Sequence, residues 1–330
     1  MIILGIDTSC DDTSLALIDR DRRILAHIIS SQADLHGLFG GVVPEIASRK
    51  HVELIDGIYN DVLEKAGISA GDIDLVGVTS GPGLIGSVLV GLSFAKGLCL
   101  AGNIPLIGVN HVEAHAMSIF LEREAEFPFV ALVVSGGHTI ILAFDAPCSF
   151  KVIGSTLDDA AGEAFDKIAK FLGLGYPGGR IIEEMARTGS PDHVAFPRPM
   201  MDDAGCNFSF SGLKTAVLRV VRQFESEHKP LPVADLAASF QAAVVDVLLT
   251  KTLLAARKFG ARQILVAGGV SANAALREAL RAETDFPVHI PPLSLCTDNA
   301  AMIAAAGYFR FALGQRDPLN LDVQPTWPLS

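Results

Sequence analysis

Charged residues are scarce in this 330-residue chain. Asp, Glu, Lys and Arg make up 19% of it against 50% hydrophobic residues, which excludes a disordered or low-complexity protein and supplies apolar surface for a substantial core. Basic residues are the rarer sign, 26 against 37 acidic, for a net charge of −11. That balance disfavours a protein that coats nucleic acid by charge alone, while leaving room for a local basic patch. Cysteine is sparse as well. Cys10, Cys99, Cys148, Cys206 and Cys296 form no C-x-x-C pair, and their odd number argues against a disulfide framework. The opening M-I-I-L-G-I-D has no basic stretch and Asp7 soon interrupts its apolar run, so no secretory or transit signal is read there. A cytoplasmic protein is expected. The phosphate loop G-x-x-x-x-G-K-[ST] is also missing.

One apolar run raises the question of a membrane. Leu75 to Ala95 carries no charge and is long enough to cross a bilayer. Gly77, Gly81, Pro82, Gly83, Gly86 and Gly91 break it up, with G-P-G near its middle. A buried strand, a glycine turn and a buried helix describe it better than one spanning helix, and no membrane association is expected.

The rest of the chain reads as a duplication. Strand-like runs at Ile2–Ile6, Ser14–Ile18 and Ile24–Ile29 precede a helical stretch over Val42 to Ala66, a strand (Leu75–Thr79), the glycine turn and a helix to about Leu100. A strand at Pro105–Val109 and a helix from His111 to Glu122 follow. From Phe129 the pattern returns: F-V-A-L-V-V, the turn S-G-G-H-T, I-I-L-A-F, F-K-V-I-G and a helix from Asp158 to Leu172. A Gly- and Pro-richer region, 173–232, reads as an insertion. A helix from Asp235 to Phe259 then leads into Q-I-L-V-A-G-G-V-S-A-N-A-A-L. The inference is two βββαβα lobes, 1–127 and 128–330, with a cleft between them lined by strand-end turns and the last helix packing back on the first lobe. Asp7–Cys10 and Ser135–His138 are expected to face that cleft.

Several motifs could carry chemistry. H-V-E-A-H sets His111 and His115 four apart on one helical face, where two imidazoles can share a metal. Two surface histidines explain the same spacing, and nine histidines in the chain make it a weak signal alone. Glu113 falls on the opposite side, so the H-E-x-x-H arrangement of zinc proteases is not reproduced. T-D-N-A-A-M offers Asp298 as a third ligand, or as an acidic residue at a helix start. Two imidazoles and a carboxylate suit iron(II) or zinc(II). S-G-G-H-T (Ser135–Thr139) could present backbone N–H groups and His138 to a phosphate, or be a hairpin that needs positive φ. Ser271 and Asn273 could meet a nucleotide or cap a helix. Asp166 could bond a ribose or be solvated, Tyr176–Arg180 reads as a turn, and F-S-F-S-G-L-K-T as a loop that meets nucleic acid or as core phenylalanines.

Taken in order, G-I-D-T-S-C-D-D-T, F-G-G-V-V-P-E-I-A-S-R-K-H, S-G-P-G-L-I-G-S, N-H-V-E-A-H, V-S-G-G-H-T, D-D-A-A-G-E-A-F-D-K, Y-P-G-G, F-S-F-S-G-L-K-T, A-G-G-V-S-A-N and T-D-N-A-A-M resemble the TsaD family, the tRNA adenosine threonylcarbamoyltransferases once labelled O-sialoglycoprotein endopeptidases. The resemblance covers nearly the whole chain. It implies the α/β fold shared by actin, sugar kinases and heat-shock chaperone ATPases (the ASKHA fold). It also implies transfer of threonylcarbamoyl from threonylcarbamoyl-AMP to N6 of the adenosine 3′ of the anticodon, in tRNAs reading codons that begin with A. His111, His115 and Asp298 then stand as ligands of one divalent metal, iron(II) first, with zinc(II) or magnesium as alternatives. Val134, Ser135, Gly136, Gly137, His138, Asp166, Gly179 and Asn273 stand as the adenylate-binding set, with Glu183 as a further ribose contact, and ATP or ADP as alternative occupants. The chemistry is metal-centred, and no side chain stands out as general base. Implied partners are tRNA, a paralogous inert actin-like subunit of the TsaB type and a small P-loop ATPase of the TsaE type. The rivals are an actin-like small-molecule kinase, a metallopeptidase and a non-catalytic scaffold.

Overall fold

A computed structural model describes residues 1–329, which fall into two compact units. The first comprises Met1–Ala125, Pro147–Ser149 and the segment from Thr297 onward; the second comprises Glu126–Ala146 and Phe150–Cys296. The first opens with β1 (Ile2–Asp7), β2 (Asp12–Asp19) and β3 (Ile24–Ser31), then α1 (Ala33–Gly37), α2 (Pro44–Ala66), β4 (Leu75–Gly81), α3 (Ile85–Gly102), β5 (Leu106–Asn110) and α4 (His111–Met117). The second is built from β6 (Phe129–Val134), β7 (Thr139–Ala146), β8 (Ser149–Ser155), α5 (Ala161–Phe171), α6 (Gly178–Ala186) and α7 (Ser211–Ser226). It continues with α8 (Val233–Phe259), β9 (Gln263–Ala267), α9 (Ala274–Ala282), β10 (Val288–His289) and α10 (Leu293–Cys296), after which α11 (Ala300–Ala312) returns to the first unit.

The two sheets share one strand order, β3-β2-β1-β4-β5 and β8-β7-β6-β9-β10. In each, the first strand pairs antiparallel with the second and parallel with the fourth. The repeat read from the sequence is therefore present twice. Every residue of β4 and of β6 is buried, as expected of central strands covered on both faces. The apolar stretch from Leu75 divides into β4 and α3, but the helix is not the buried one expected: only 33% of its apolar window is buried. By length and composition alone α3 and α8 could each cross a membrane. In α8, however, 61% of the apolar window is buried within the protein, as in a core helix.

Several local expectations need correction, two of them because a cap is supplied from elsewhere. The turn expected over Tyr176–Arg180 is confined to a bend at Tyr176 and Pro177, because Gly178 begins α6 and its N–H donates to Asp166 Oδ1 at 2.8 Å. The helix expected from Asp158 begins at Ala161. Asp158 instead accepts hydrogen bonds from the N–H groups of Phe210 and Ser211 and from both neighbouring serine hydroxyls, capping α7. F-S-F-S-G-L-K-T is consequently not a free loop. Phe208 and Phe210 are fully buried and Lys214 pairs with Asp159, so the core reading of its aromatics holds. The helix after His111 ends at Met117 and tightens into a 3₁₀ turn over Ser118–Leu121.

The feature that places the site is the close seating of α11 on the first sheet. A Cβ added at Gly5 would lie 2.0 Å from the Ala300 carbonyl oxygen, and one at Gly77 would lie 3.1 Å from that of Ile303. Gly307 in turn lies against the Gly77 backbone. Only glycine lets helix backbone approach strand backbone this far. Gly5→Ala is therefore expected to destabilise the protein by about 1–3 kcal/mol or more through overpacking. Gly57→Ala, in the interior of α2 where an added methyl meets nothing, should stabilise it by about 0.5–1 kcal/mol. Denaturant or thermal unfolding of the two variants reads the opposite signs.

Candidate functional site

Asn110 ends β5 and caps α4, its Oδ1 accepting from the N–H groups of Val112 and Glu113. This starts the helix at His111, so His111 and His115 share a face. Neither is a surface residue: His111 is 4% exposed and His115 0%. Asp298 reaches them from the residues that lead into α11. There Asn299 Oδ1 caps the helix by accepting from Met302 N–H, its amide donates to the Thr297 carbonyl, and the Ala300 N–H donates to Ser14 Oγ at 2.9 Å. Asn299, not Asp298, is the helix cap. Asp298 Oδ1 lies 3.4 Å from His111 Nε2 and 3.2 Å from His115 Nε2, and one ligand atom from each of the three residues falls within 4.8 Å of the others.

A fourth residue belongs to this group. Asp7, at the end of β1, is 1% exposed and places Oδ2 3.3 Å from His111 Nδ1. Its Oδ1 accepts from Thr79 Oγ1 and from Ser9 N–H. A carboxylate behind a ligating imidazole fixes the tautomer and the ring orientation. The sequence places Asp7 at a strand-end turn, and only the fold sets it against His111. The nearby turn is anchored by buried His51, whose Nε2 lies 2.9 Å from the Cys10 carbonyl and whose Nδ1 lies 2.7 Å from Thr13 Oγ1.

The charges of the cluster are strongly interdependent. Burial works against charge on His111, yet the Asp298 and Asp7 carboxylates carry its imidazole well above the ordinary value. Asp298 is opposed by burial as well, but the two imidazoles hold it well below the usual carboxylate range. His115 is lowered, chiefly by burial. Among the described residues, His115 Nδ1 is buried without a hydrogen-bond partner. Two imidazoles and a carboxylate converging in a buried setting fit a divalent transition metal. Glu113 points elsewhere. It is fully buried and ion-paired with Arg310 in α11, so a peptidase-type base beside the first histidine is not formed.

The expected adenylate set lies in the second unit, and direct contacts link its parts. Ser135 N–H bonds the His138 carbonyl at 2.8 Å, which closes the turn between β6 and β7. The start of α5 abuts this turn: Gly162 N–H donates to the Ser135 carbonyl and Ala161 N–H to Thr139 Oγ1. Asp166 holds the start of α6, and Glu183 on α6 accepts from Ala274 N–H, the first residue of α9. Asn273 caps α9 through Leu276 N–H and donates to Gln241 Oε1. The capping alternative is thus realised at Asn273.

Glycines separate into two kinds here. An added Cβ at Gly162, Gly178 or Gly268 would strike backbone at 2.5, 2.6 and 2.4 Å, whereas at Gly136, Gly137 and Gly179 it would meet nothing within 4 Å. Gly136 and Gly137 do not have positive φ, so the hairpin alternative that requires it is not the reason for them. They leave the backbone of the turn open to an approaching group.

The metal reading has a measurable sign. His111 must lose the proton its two carboxylates favour before it can ligate, so apparent affinity for Co(II) or Zn(II) should fall as pH is lowered, by up to about tenfold per pH unit for one displaced proton. His115→Ala should lower that affinity by about a hundredfold or more. Metal titration at several pH values checks both.

Comparison with known proteins agrees with this geometry. A sequence model of the family described as TsaD, tRNA N6-adenosine threonylcarbamoyltransferase, matches residues 23–305. The chain is 51% identical over 333 residues to the protein of that name from Geobacter sulfurreducens, covering 100% of this chain and 97% of the relative. It is 50% identical over 329 residues to that of Thermosipho africanus, with 98% and 99% covered. Among solved structures, HypF of T. kodakarensis is similar with a TM-score of 0.64 at 14% identity, over 95% of this chain and 48% of that one. Component A of the Acidaminococcus fermentans (R)-2-hydroxyglutaryl-CoA dehydratase gives 0.56 at 16%, over 94% and 99%. These likenesses bear on the fold alone, which is of the actin-like, sugar-kinase and heat-shock-chaperone type. With full-length relatives at about half identity and most of its length matched by the family model, the chain belongs to the TsaD family of tRNA N6-adenosine threonylcarbamoyltransferases.

Proposed function

We propose that this chain transfers the threonylcarbamoyl group of threonylcarbamoyl-AMP to N6 of the adenosine just 3′ of the anticodon, in tRNAs reading codons that begin with A. The observation that carries the reading is the convergence of His111, His115 and Asp298 in a chain of this family. The exocyclic amine of adenine is a poor nucleophile because its lone pair is delocalised into the ring, so the acyl carbon must arrive activated. The amine nitrogen bonds to the carbamoyl carbon, the carbon–oxygen bond to phosphate breaks, and AMP leaves, its phosphate taking up the proton that the amine gives up. His111, His115 and Asp298 would hold a divalent metal, which when bound would supply Lewis acidity to the acyl carbonyl. Iron(II) is the metal proposed first, with zinc(II) and magnesium as alternatives.

The chain's own residues do the rest. Asp7 sets the orientation of His111. The turn Val134–His138, bare of side chains at Gly136 and Gly137, receives the adenylate phosphate, with the start of α5 beside it. Asp166 of α5, Gly179 and Glu183 of α6, and Asn273 at the start of α9 border the nucleoside, and the same site takes ATP or ADP. The acid-rich composition leaves part of the tRNA grip to partners, proposed as a paralogous inert subunit and a small P-loop ATPase acting in the cytoplasm. The peptidase alternative finds no support in Glu113, which is engaged by Arg310.

Two experiments test this. The metal-loaded chain, with its proposed partners, is incubated with synthetic threonylcarbamoyl-AMP and unmodified tRNA, and the digested nucleosides are weighed. A threonylcarbamoyladenosine peak is expected, reduced at least about a hundredfold in Asp298→Ala; no peak from the unaltered protein would return the kinase reading to first place. Gly136→Ala should keep its unfolding midpoint within a degree or two, since the methyl meets nothing. It should also raise the KM for the adenylate about tenfold by intruding on the turn.

A further inference from the structure

The helix that carries the two histidines meets α11 in two places. On one face His111 and His115 approach Asp298, just before the first residue of α11. On the other, Glu113 meets Arg310 in the last turn of α11, its Oε2 accepting from both Nε, at 3.2 Å, and Nη2. From Ala300 to Arg310 the helix rises roughly 15 Å, so the two contacts sit near opposite ends of one rigid rod. Nor does the second contact stop at the ion pair. Arg310 Nη1 donates to Gln315 Oε1 at 2.9 Å, Gln315 Nε2 donates to Asp317 Oδ2 at 2.9 Å, and that same oxygen accepts from Gly108 N–H at 2.8 Å. Gly108 lies in β5, the strand that runs directly into His111. The hydrogen bonds therefore close a ring, from β5 through α4, Glu113, Arg310, Gln315 and Asp317 back to β5.

Stability alone is a poor reason for such a pair. Glu113 is 0% exposed, and burying an ion pair costs desolvation that well-packed apolar residues of like volume would avoid. What the pair does supply is direction. Two parallel donors on one carboxylate oxygen fix how α4 is rolled and how far it stands from α11, at the face opposite the histidines, and so add to the Asn110 cap and the packing of its seven buried residues. Phe120 and Phe309, with ring centroids 4.6 Å apart, continue the same seam without setting its register.

We propose that Glu113 and Arg310 are positioning residues of the metal site: held by the ring through Gln315 and Asp317, they set the distance of the two imidazoles from Asp298. The proposal rests on the reading of His111, His115 and Asp298 as metal ligands. The probe is Co(II), titrated into the full-length chain and followed by its visible d–d absorption, together with thermal unfolding of the same samples. Glu113→Gln and Arg310→Met should each weaken Co(II) binding about tenfold and shift the d–d bands. The double variant should lose no more than either single variant, because the pair acts as one unit. Arg310→Lys keeps a cation opposite Glu113 but only one point of attachment; it serves if the others do not fold, with the band shift expected there as well. Native Co(II) affinity and spectrum in the folded variants, whatever their unfolding midpoints, would overturn the proposal, as would additive losses in the double variant. An unaltered chain that fails to bind Co(II) would instead remove the metal reading itself.

Discussion

The backbone of α11 lies against the backbone of the first sheet, and the candidate metal site depends on that contact. Gly5 and Gly77 remove the side chains that would hold the helix off, and Ala300, Ala304 and Gly307 keep its facing surface small. Asp298 enters at the end of this seam, where Ser14 receives the Ala300 N–H and β1 delivers Asp7. The ligands are thus set by three layers: a strand end, a short helix capped by Asn110, and a helix pressed onto the sheet. None is held by a loop alone, and this is the usual route to a site accurate enough for metal chemistry.

Polar residues near the sites repeatedly serve the fold and the chemistry together. Asp166 anchors the first N–H of α6, Asn273 caps α9 while bonding Gln241, and Asp158 closes the start of α7 from 52 residues away. Helix starts have unsatisfied N–H groups wherever they occur, and here those of α5, α6 and α9 belong to one linked set of contacts. The same geometry that needs capping also favours anions, so structural and ligand-binding demands draw on the same few side chains.

Much of this was legible in the sequence because it is local. Strand and helix order follows from hydrophobic runs and glycine punctuation, and the repeat of that order gives the duplicated α/β architecture. The spacing of His111 and His115 shows that they share a face, and T-D-N-A-A-M shows a helix start. What stayed hidden is non-local. Nothing near Glu113 announces Arg310, 197 residues later, and nothing near Asp7 announces His111. Tyr176–Arg180 reads as a turn because its helix is capped by a carboxylate twelve residues upstream. Spacing could not decide whether the histidines are buried, since burial there depends on a helix from the far end of the chain.

That last dependence has a consequence for biosynthesis. Asp298 follows His115 by 183 residues, and the whole second unit is translated between them. At about 5–20 residues per second the interval is on the order of ten to forty seconds. Throughout it the nascent first sheet carries its β1–β4 face uncovered, with Gly5 and Gly77 awaiting the helix, and the two imidazoles have no third partner. Assembly of the His111, His115 and Asp298 cluster is therefore a late event on the ribosome's clock, and a nascent chain stalled within the second unit would present an apolar sheet for chaperones to guard.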